Sequence, residues 1–159
     1  MKKWIIASAI VVLSGLTVLF IVTAPTDEQL IRRAIDQSVQ ASREGKPNPV
    51  LDNLTRTFTW NGQTVGLNRS EVSRYVRLGK PEIDLGHYKP EINGEEARVV
   101  TDAHIKIEFQ SLKFDQTVPG IEIKLKREMG TRWLVFPSAR WKIYEVTAPD
   151  LASIPNLGY

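Results

Sequence analysis

The chain contains no cysteine, which excludes a disulfide framework, a thiolate zinc site and a cysteine nucleophile. Histidine is nearly as scarce. His87 and His104 are the whole supply, and neither sits in a His-Glu-x-x-His motif or at any other recognisable ligand spacing. There is no Gly-rich phosphate loop and no Gly-x-Ser-x-Gly elbow, so no motif implies a metal or a cofactor. A surplus of charge is missing too, once its position is considered. Two of the 21 Lys+Arg, Lys2 and Lys3, precede a hydrophobic segment and all 18 Asp+Glu follow it, leaving 19 against 18 from Pro25 onward. So even a balance offers no field for nucleic acid.

What remains is enough for one globular domain. At 159 residues the chain is long enough to bury a core and too short for two ordinary domains. Ahead of that domain, residues 4–24 run 21 positions without a charge. As a helix they would be about 31 Å long, against about 30 Å of hydrocarbon in a bilayer. Lys2 and Lys3 before the run, and Asp27 and Glu28 after it, place the N-terminus in the cytoplasm and the domain outside. The alternative is a signal peptide cut after Val22-Thr23-Ala24 and a secreted product, although the apolar run is long for one and Pro25 would follow the cut directly. The expected division is a cytoplasmic stub and single-pass anchor over 1–25, a folded domain over 26–147, and an irregular tail over 148–159.

Within the domain, Thr26 with Gln29 three residues on reads as a capping box. Leu30, Ile31, Ala34, Ile35 and Val39 then make one apolar helical stripe. Gly45 suits the helix end. A short second helix is expected from Asn48, with Pro49 at its first position. Phe58-Thr59-Trp60, Asn61-Gly62 and Gln63-Thr64-Val65 spell a small hairpin. A third helix runs from about Asn68 or Ser70 to Leu78, burying Val72, Tyr75 and Val76, and is ended by Gly79 and Pro81.

The strongest pattern lies at 96–110. Ala97, Val99, Thr101, Ala103, Ile105, Ile107 and Phe109 alternate with polar residues, the period of a strand with one buried face. A strand over 82–92 should pair with it through the Asn93-Gly94 turn. Residues 115–128 form a further strand, bulged or broken at Pro119-Gly120. Met129-Gly130-Thr131 is expected to turn the chain into a last strand over 132–146, with a bulge at Pro137-Ser138. The fold class is α+β: a curved antiparallel sheet with the N-terminal helices on its concave face, plus one N-terminal transmembrane helix.

A long helix, a short one, a hairpin, a third helix and then an antiparallel meander resembles the nuclear-transport-factor-like superfamily. This is the cone-shaped α+β fold of ketosteroid isomerase, scytalone dehydratase and polyketide-cyclase-like proteins. The resemblance covers about residues 26–147. It implies a pocket between helices and sheet which, in the enzymes, holds a carboxylate, often with Tyr or His. A membrane-tethered version also looks like assembly proteins of type IV secretion systems.

The candidate pocket residues are Trp60, Tyr75, His87, Trp133, Trp141 and Glu145. Ile83, Leu85 and His87 share strand parity, which would turn a neutral imidazole inward as a general base; the alternative is a strand-end histidine that is hydrogen-bonded or wet. Glu145 shares parity with Trp141 and Ile143, and a carboxylate among aromatics would have a raised pKa. The bulge makes that parity unsafe. Asp102 and His104 lie on one strand face, but flanking charges of both signs mark a solvated surface. Leu134 and Phe136 fall on the outer side, where an apolar patch meets a partner, the tail or a second copy. So few pocket carboxylates favour a binding or interaction domain without catalysis, for a small apolar ligand or a protein. The alternatives are an isomerase, dehydratase or hydrolase using the pocket histidine, and a scaffold subunit of a secretion or envelope complex.

Overall fold

The computed structural model describes residues 25–62, 69–109, 112–132 and 136–148. The expected anchor at 4–24 and the tail beyond 148 lie outside the described residues. Among the described residues no helix is long and apolar enough to cross a membrane.

Helix α1 spans Asp27–Arg43. Gln29 N donates to Thr26 Oγ1 at 3.3 Å, and Thr26 N donates to Gln29 Oε1 at 3.1 Å, so two free amides are capped for about 1 kcal/mol. Its apolar stripe drives Ile31 and Ile35 into the core. Helix α2, Pro47–Asn53, begins a residue before the expected start because Pro47 takes the first turn, where a missing N–H costs nothing. Asn53 Nδ2 donates to Ala34 O and Ser38 Oγ, both at 3.1 Å, and pins α2 to α1. Strand β1 (Leu54–Trp60), helix α3 (Arg69–Gly79), strands β2 (Glu82–Leu85) and β3 (Glu91–Asn93), and the long strands β4 (Glu96–Phe109), β5 (Leu112–Arg132) and β6 (Phe136–Thr147) follow.

The sheet is curved and open, in the order β1-β6-β5-β4-β2, with β3 also on β4. The odd row of β4 does face inward: Ala97, Val99, Thr101, Ala103 and Ile105 are buried, as period-two alternation demands. Ile121, Ile123 and Leu125 of β5 and Trp141 and Ile143 of β6 complete that face, and α1 lies across it.

Four sequence expectations are corrected. The strand expected over 82–92 is two strands, because residues 86–90 leave the ladder. Gly86 N turns to Asp102 O at 2.8 Å, Pro90 has no N–H to give, and Tyr88 between them is drawn into the core. Second, the turn expected at Asn93-Gly94 falls one residue later, at Gly94-Glu95, since Asn93 is still in the ladder opposite Glu96 and Gly94 takes the positive φ of +64°. Of the hairpin expected over 58–65, Phe58 to Trp60 are a strand, running parallel to β6 with Trp60 opposite Val146, and Asn61 and Gly62 turn at φ +50° and +69°; the other arm, 63–65, lies outside the described residues. Third, the chain does not reverse at Met129-Gly130-Thr131. Those residues pair with Ala139, Ser138 and Pro137, and the ladder continues to Arg132 opposite Phe136. Fourth, that regular register leaves no bulge at Pro137-Ser138. The bulge in β6 falls instead at Tyr144, between the pairs Leu125–Ile143 and Lys124–Glu145.

The bulge expected at Pro119-Gly120 is present, and β5 passes through it unbroken. Gly120 adopts φ +64°, and its N–H donates to Asp102 Oδ1 at 2.9 Å. The extra residue moves the inward row of β5 from Val118 to Ile121.

Tyr88 also fastens the loop to α1. Arg32 Nη2 donates to Tyr88 O at 2.8 Å, and its guanidinium lies 4.8 Å from the ring centroid. Burial, with the Asp36 carboxylate 3.5 Å from the hydroxyl, holds the phenol above the usual tyrosine pKa, against a smaller pull from Arg32. A raised folded pKa means that stability is intact below the ordinary value near 10 and is lost as pH climbs through the folded value. Tyr88→Phe should therefore lose less stability between about pH 9 and 11 than the wild type. Urea melts across that range check this, and identical pH slopes would refute it.

Candidate functional site

Helix α1 does not lie flat on the sheet along its whole length, and a cavity of about 320 Å³ remains between them. Its roof is Ile35, Ser38, Val39 and Ser42 of α1, with Val50 of α2 and Val72, Tyr75 and Val76 of α3. Leu54, Phe58 and Trp60 of β1 form one wall; Pro81, Ile83 and Leu85 form the other. The floor is Ala103 and Ile105 of β4, Ile121 and Ile123 of β5, and Ile143 and Val146 of β6. Alternation aims these floor residues upward, Ala103 contributing only a methyl group. Tyr75 is 50% exposed while lining the cavity, which marks α3 as the side where the space meets solvent.

Among the described residues no Asp, Glu, His, Lys or Arg lines this space. Of its few polar groups, Ser38 is spoken for: its Oγ donates to Ala34 O at 2.8 Å and accepts from Asn53 Nδ2. Ser42 is 6% exposed and makes no side-chain hydrogen bond among the described residues.

Five of the six expected pocket residues are described, and they are not brought together. Trp60 and Tyr75 line the cavity. His87 does not; it is exposed on the loop after β2, since the strand that would have turned it inward ends at Leu85. Trp141 is fully packed in the core, away from the cavity, and its Nε1 donates to Asp27 Oδ1 at 3.0 Å. That bond ties the first turn of α1 to the sheet, with Arg127 Nη1 3.7 Å from the other Asp27 oxygen. Glu145 lies on the outer face, because the bulge at Tyr144 reverses its parity relative to Ile143. There its Oε2 accepts from Lys124 Nζ at 2.8 Å, a pairing that raises the Lys124 pKa. Trp133 and Leu134 lie outside the described residues, and only the backbone of Phe136 is described.

The outer face around Glu145 is a ladder of cross-strand ion pairs. Arg98 pairs with Glu122, and Lys142 Nζ lies 3.1 Å from Glu128. His104 Nε2 is 3.0 Å from Asp115 and its Nδ1 3.2 Å from Thr117 Oγ1, so both ring nitrogens are engaged on the solvated face. Among the described residues no group of three or more His, Asp or Glu could hold a metal ion.

Sequence reasoning missed Ser42 and Ala103. A signal for the first existed: Ser38 and Ser42 are four apart and continue the stripe of Ile35 and Val39, so both hydroxyls fall on the buried side of α1.

No family model matches the sequence, and no curated protein does. Solved structures do match. An NTF2-like protein of unknown function in nutrient uptake from Rhodospirillum rubrum aligns with a TM-score of 0.58 at 17% identity, covering 74% of this chain and 94% of that one. An NTF2-like protein from Cytophaga hutchinsonii gives 0.59 at 16% identity, covering 77% and 97%. The CaMKII hub of S. rosetta gives 0.57 at 8%, covering 79% and 97%. Likeness at such identities is likeness of fold, and the fold of this chain is NTF2-like.

Proposed function

We propose that this chain is a membrane-anchored, extracytoplasmic binding domain that holds a small apolar molecule in the cavity under α1 and catalyses no reaction on it. The observation that carries the reading is the chemistry of the lining. A space of about 320 Å³ bounded by aliphatic and aromatic side chains offers burial for an apolar guest. Among the described residues it offers no carboxylate or imidazole to move a proton. His87 on its exposed loop and Glu145 on the outer sheet face do not converge on a common point, which weighs against the isomerase, dehydratase and hydrolase alternatives.

The anchoring half of the reading rests on sequence. Residues 4–24 carry no charge, and the domain begins three residues later at Asp27, which is fixed to Trp141. A guest partitioning into lipid would thus be met at the bilayer surface.

Two measurements test the two halves. The full-length chain, purified in lipid nanodiscs, should bind an apolar fluorophore at one equivalent and release it to an apolar competitor; emission unchanged from empty nanodiscs would refute ligand binding. After an alkaline wash of membranes the intact chain should stay in the pellet. Recovery in the supernatant with Pro25 or a later residue as N-terminus would replace the anchor with a cleaved signal.

A further inference from the structure

We infer that the molecule held in the cavity is neutral and carries one hydrogen-bonding group, which docks on the Ser42 hydroxyl while the rest of it fills the apolar space. This rests on the binding reading above and narrows it. Ser38 and Ser42 stand one turn apart on the same face of α1, and their situations differ. Ser38 has both a donor and an acceptor partner in Ala34 and Asn53. Ser42 is as deeply buried, lines the cavity, and has no partner for its side chain among the described residues. Its Oγ is not among the sealed, unpartnered side-chain atoms of the described residues, which are Thr55 Oγ1 and Arg127 Nε, so it keeps contact with the space beside it, and a guest entering the cavity must replace the water that meets it there. A guest that brings a hydroxyl or carbonyl to that point satisfies it; a pure hydrocarbon does not.

Among the described residues the same lining disfavours charge. An ionised carboxylate or phosphate moved into this space would give up its water and find no cationic side chain among the described residues in return. Size follows from volume. A dry cavity of about 150 Å³ holds benzene, and this one is about twice that, enough for two fused rings or a comparable alkyl chain. The ligand class is a neutral bicyclic or medium-chain alcohol or ketone, entering past Tyr75.

The test uses naphthalene, 2-naphthol and 2-naphthoate as competitors of an apolar fluorophore on the full-length chain in nanodiscs. Partition of each probe into lipid cancels when wild type and variant are compared. In the wild type, 2-naphthol should compete and 2-naphthoate should not. Ser42→Ala should weaken 2-naphthol by about fivefold to tenfold, one neutral hydrogen bond, and leave naphthalene unchanged. Ser42→Thr, which keeps the hydroxyl, should retain most of the 2-naphthol affinity. Equal effects of Ser42→Ala on the two neutral probes, or binding of 2-naphthoate as tight as that of 2-naphthol, overturn the inference while leaving the cavity reading standing. If none of the three competes, the cavity reading fails and this inference fails with it.

Discussion

Ala103→Phe is expected to reduce binding of a two-ring apolar guest by roughly 100-fold while barely lowering the melting temperature. Ala103 lines the cavity with only a methyl group, and a benzyl group in its place would project into that space. Benzene needs about 150 Å³, so the new ring takes close to half of the 320 Å³. A guest deprived of about four methylene equivalents of burial, at about 0.8 kcal/mol each, loses about 3 kcal/mol, hence the factor. Stability separates this outcome from simple disruption. In a filled core, overpacking costs about 1–3 kcal/mol; in a vacant one the ring gains contacts. Calorimetry beside a binding titration decides between them. A drop in melting temperature of many degrees would mean that the space is not available to a side chain.

Leu125→Ala is expected to be the most damaging single truncation among the described residues. Leu125 has no exposed surface and sits in the central strand between Ala97 on β4 and Ile143 on β6. Deleting a buried leucine side chain costs about 2–5 kcal/mol, the upper end where the surroundings cannot collapse. Strands on both sides restrain it here. Against a total stability of about 5–15 kcal/mol, such a loss leaves a domain that is partly unfolded at modest urea. Lys124→Ala, one residue away on the outer face, is the control. Its ion pair with Glu145 is about a third exposed on the lysine side, so the change should cost less than about 1 kcal/mol. Urea titrations of the two variants should differ severalfold in effect; similar values would mean that β5 does not bury the face assigned to it.

The parts of this architecture that could be read from the sequence are those whose cause is local. The capping box at Thr26 and Gln29 needs four residues, the positive φ angles at Asn61-Gly62 need two, and the buried row of β4 repeats without interruption from Ala97 to Ile105. The failures occur where a distant partner decides. Glu145 was assigned to the pocket by counting from Trp141, and one extra residue at Tyr144 sends it to the opposite face. Nothing in its immediate sequence announces that bulge. His87 was turned inward by alternation from Ile83, but the strand stops short of it because Tyr88 is captured by Arg32 from α1, more than fifty positions away. The cavity residues Ser42 and Ala103 were passed over for a different reason. A hydroxyl or a methyl group within an apolar stripe looks like a weak core position, and only the vacancy beside it makes it a site.

The parallel pairing of β1 with β6 has a consequence for how the chain acquires this shape. β4, β5 and β6 are consecutive and can zip together as neighbours, whereas β1 waits for a strand made almost a whole domain later. Until β6 arrives, Leu54, Phe58 and Trp60 have no sheet to join. A chain synthesised from its N-terminus would therefore expose these greasy side chains through most of its production, a window in which a holding chaperone becomes part of its biogenesis.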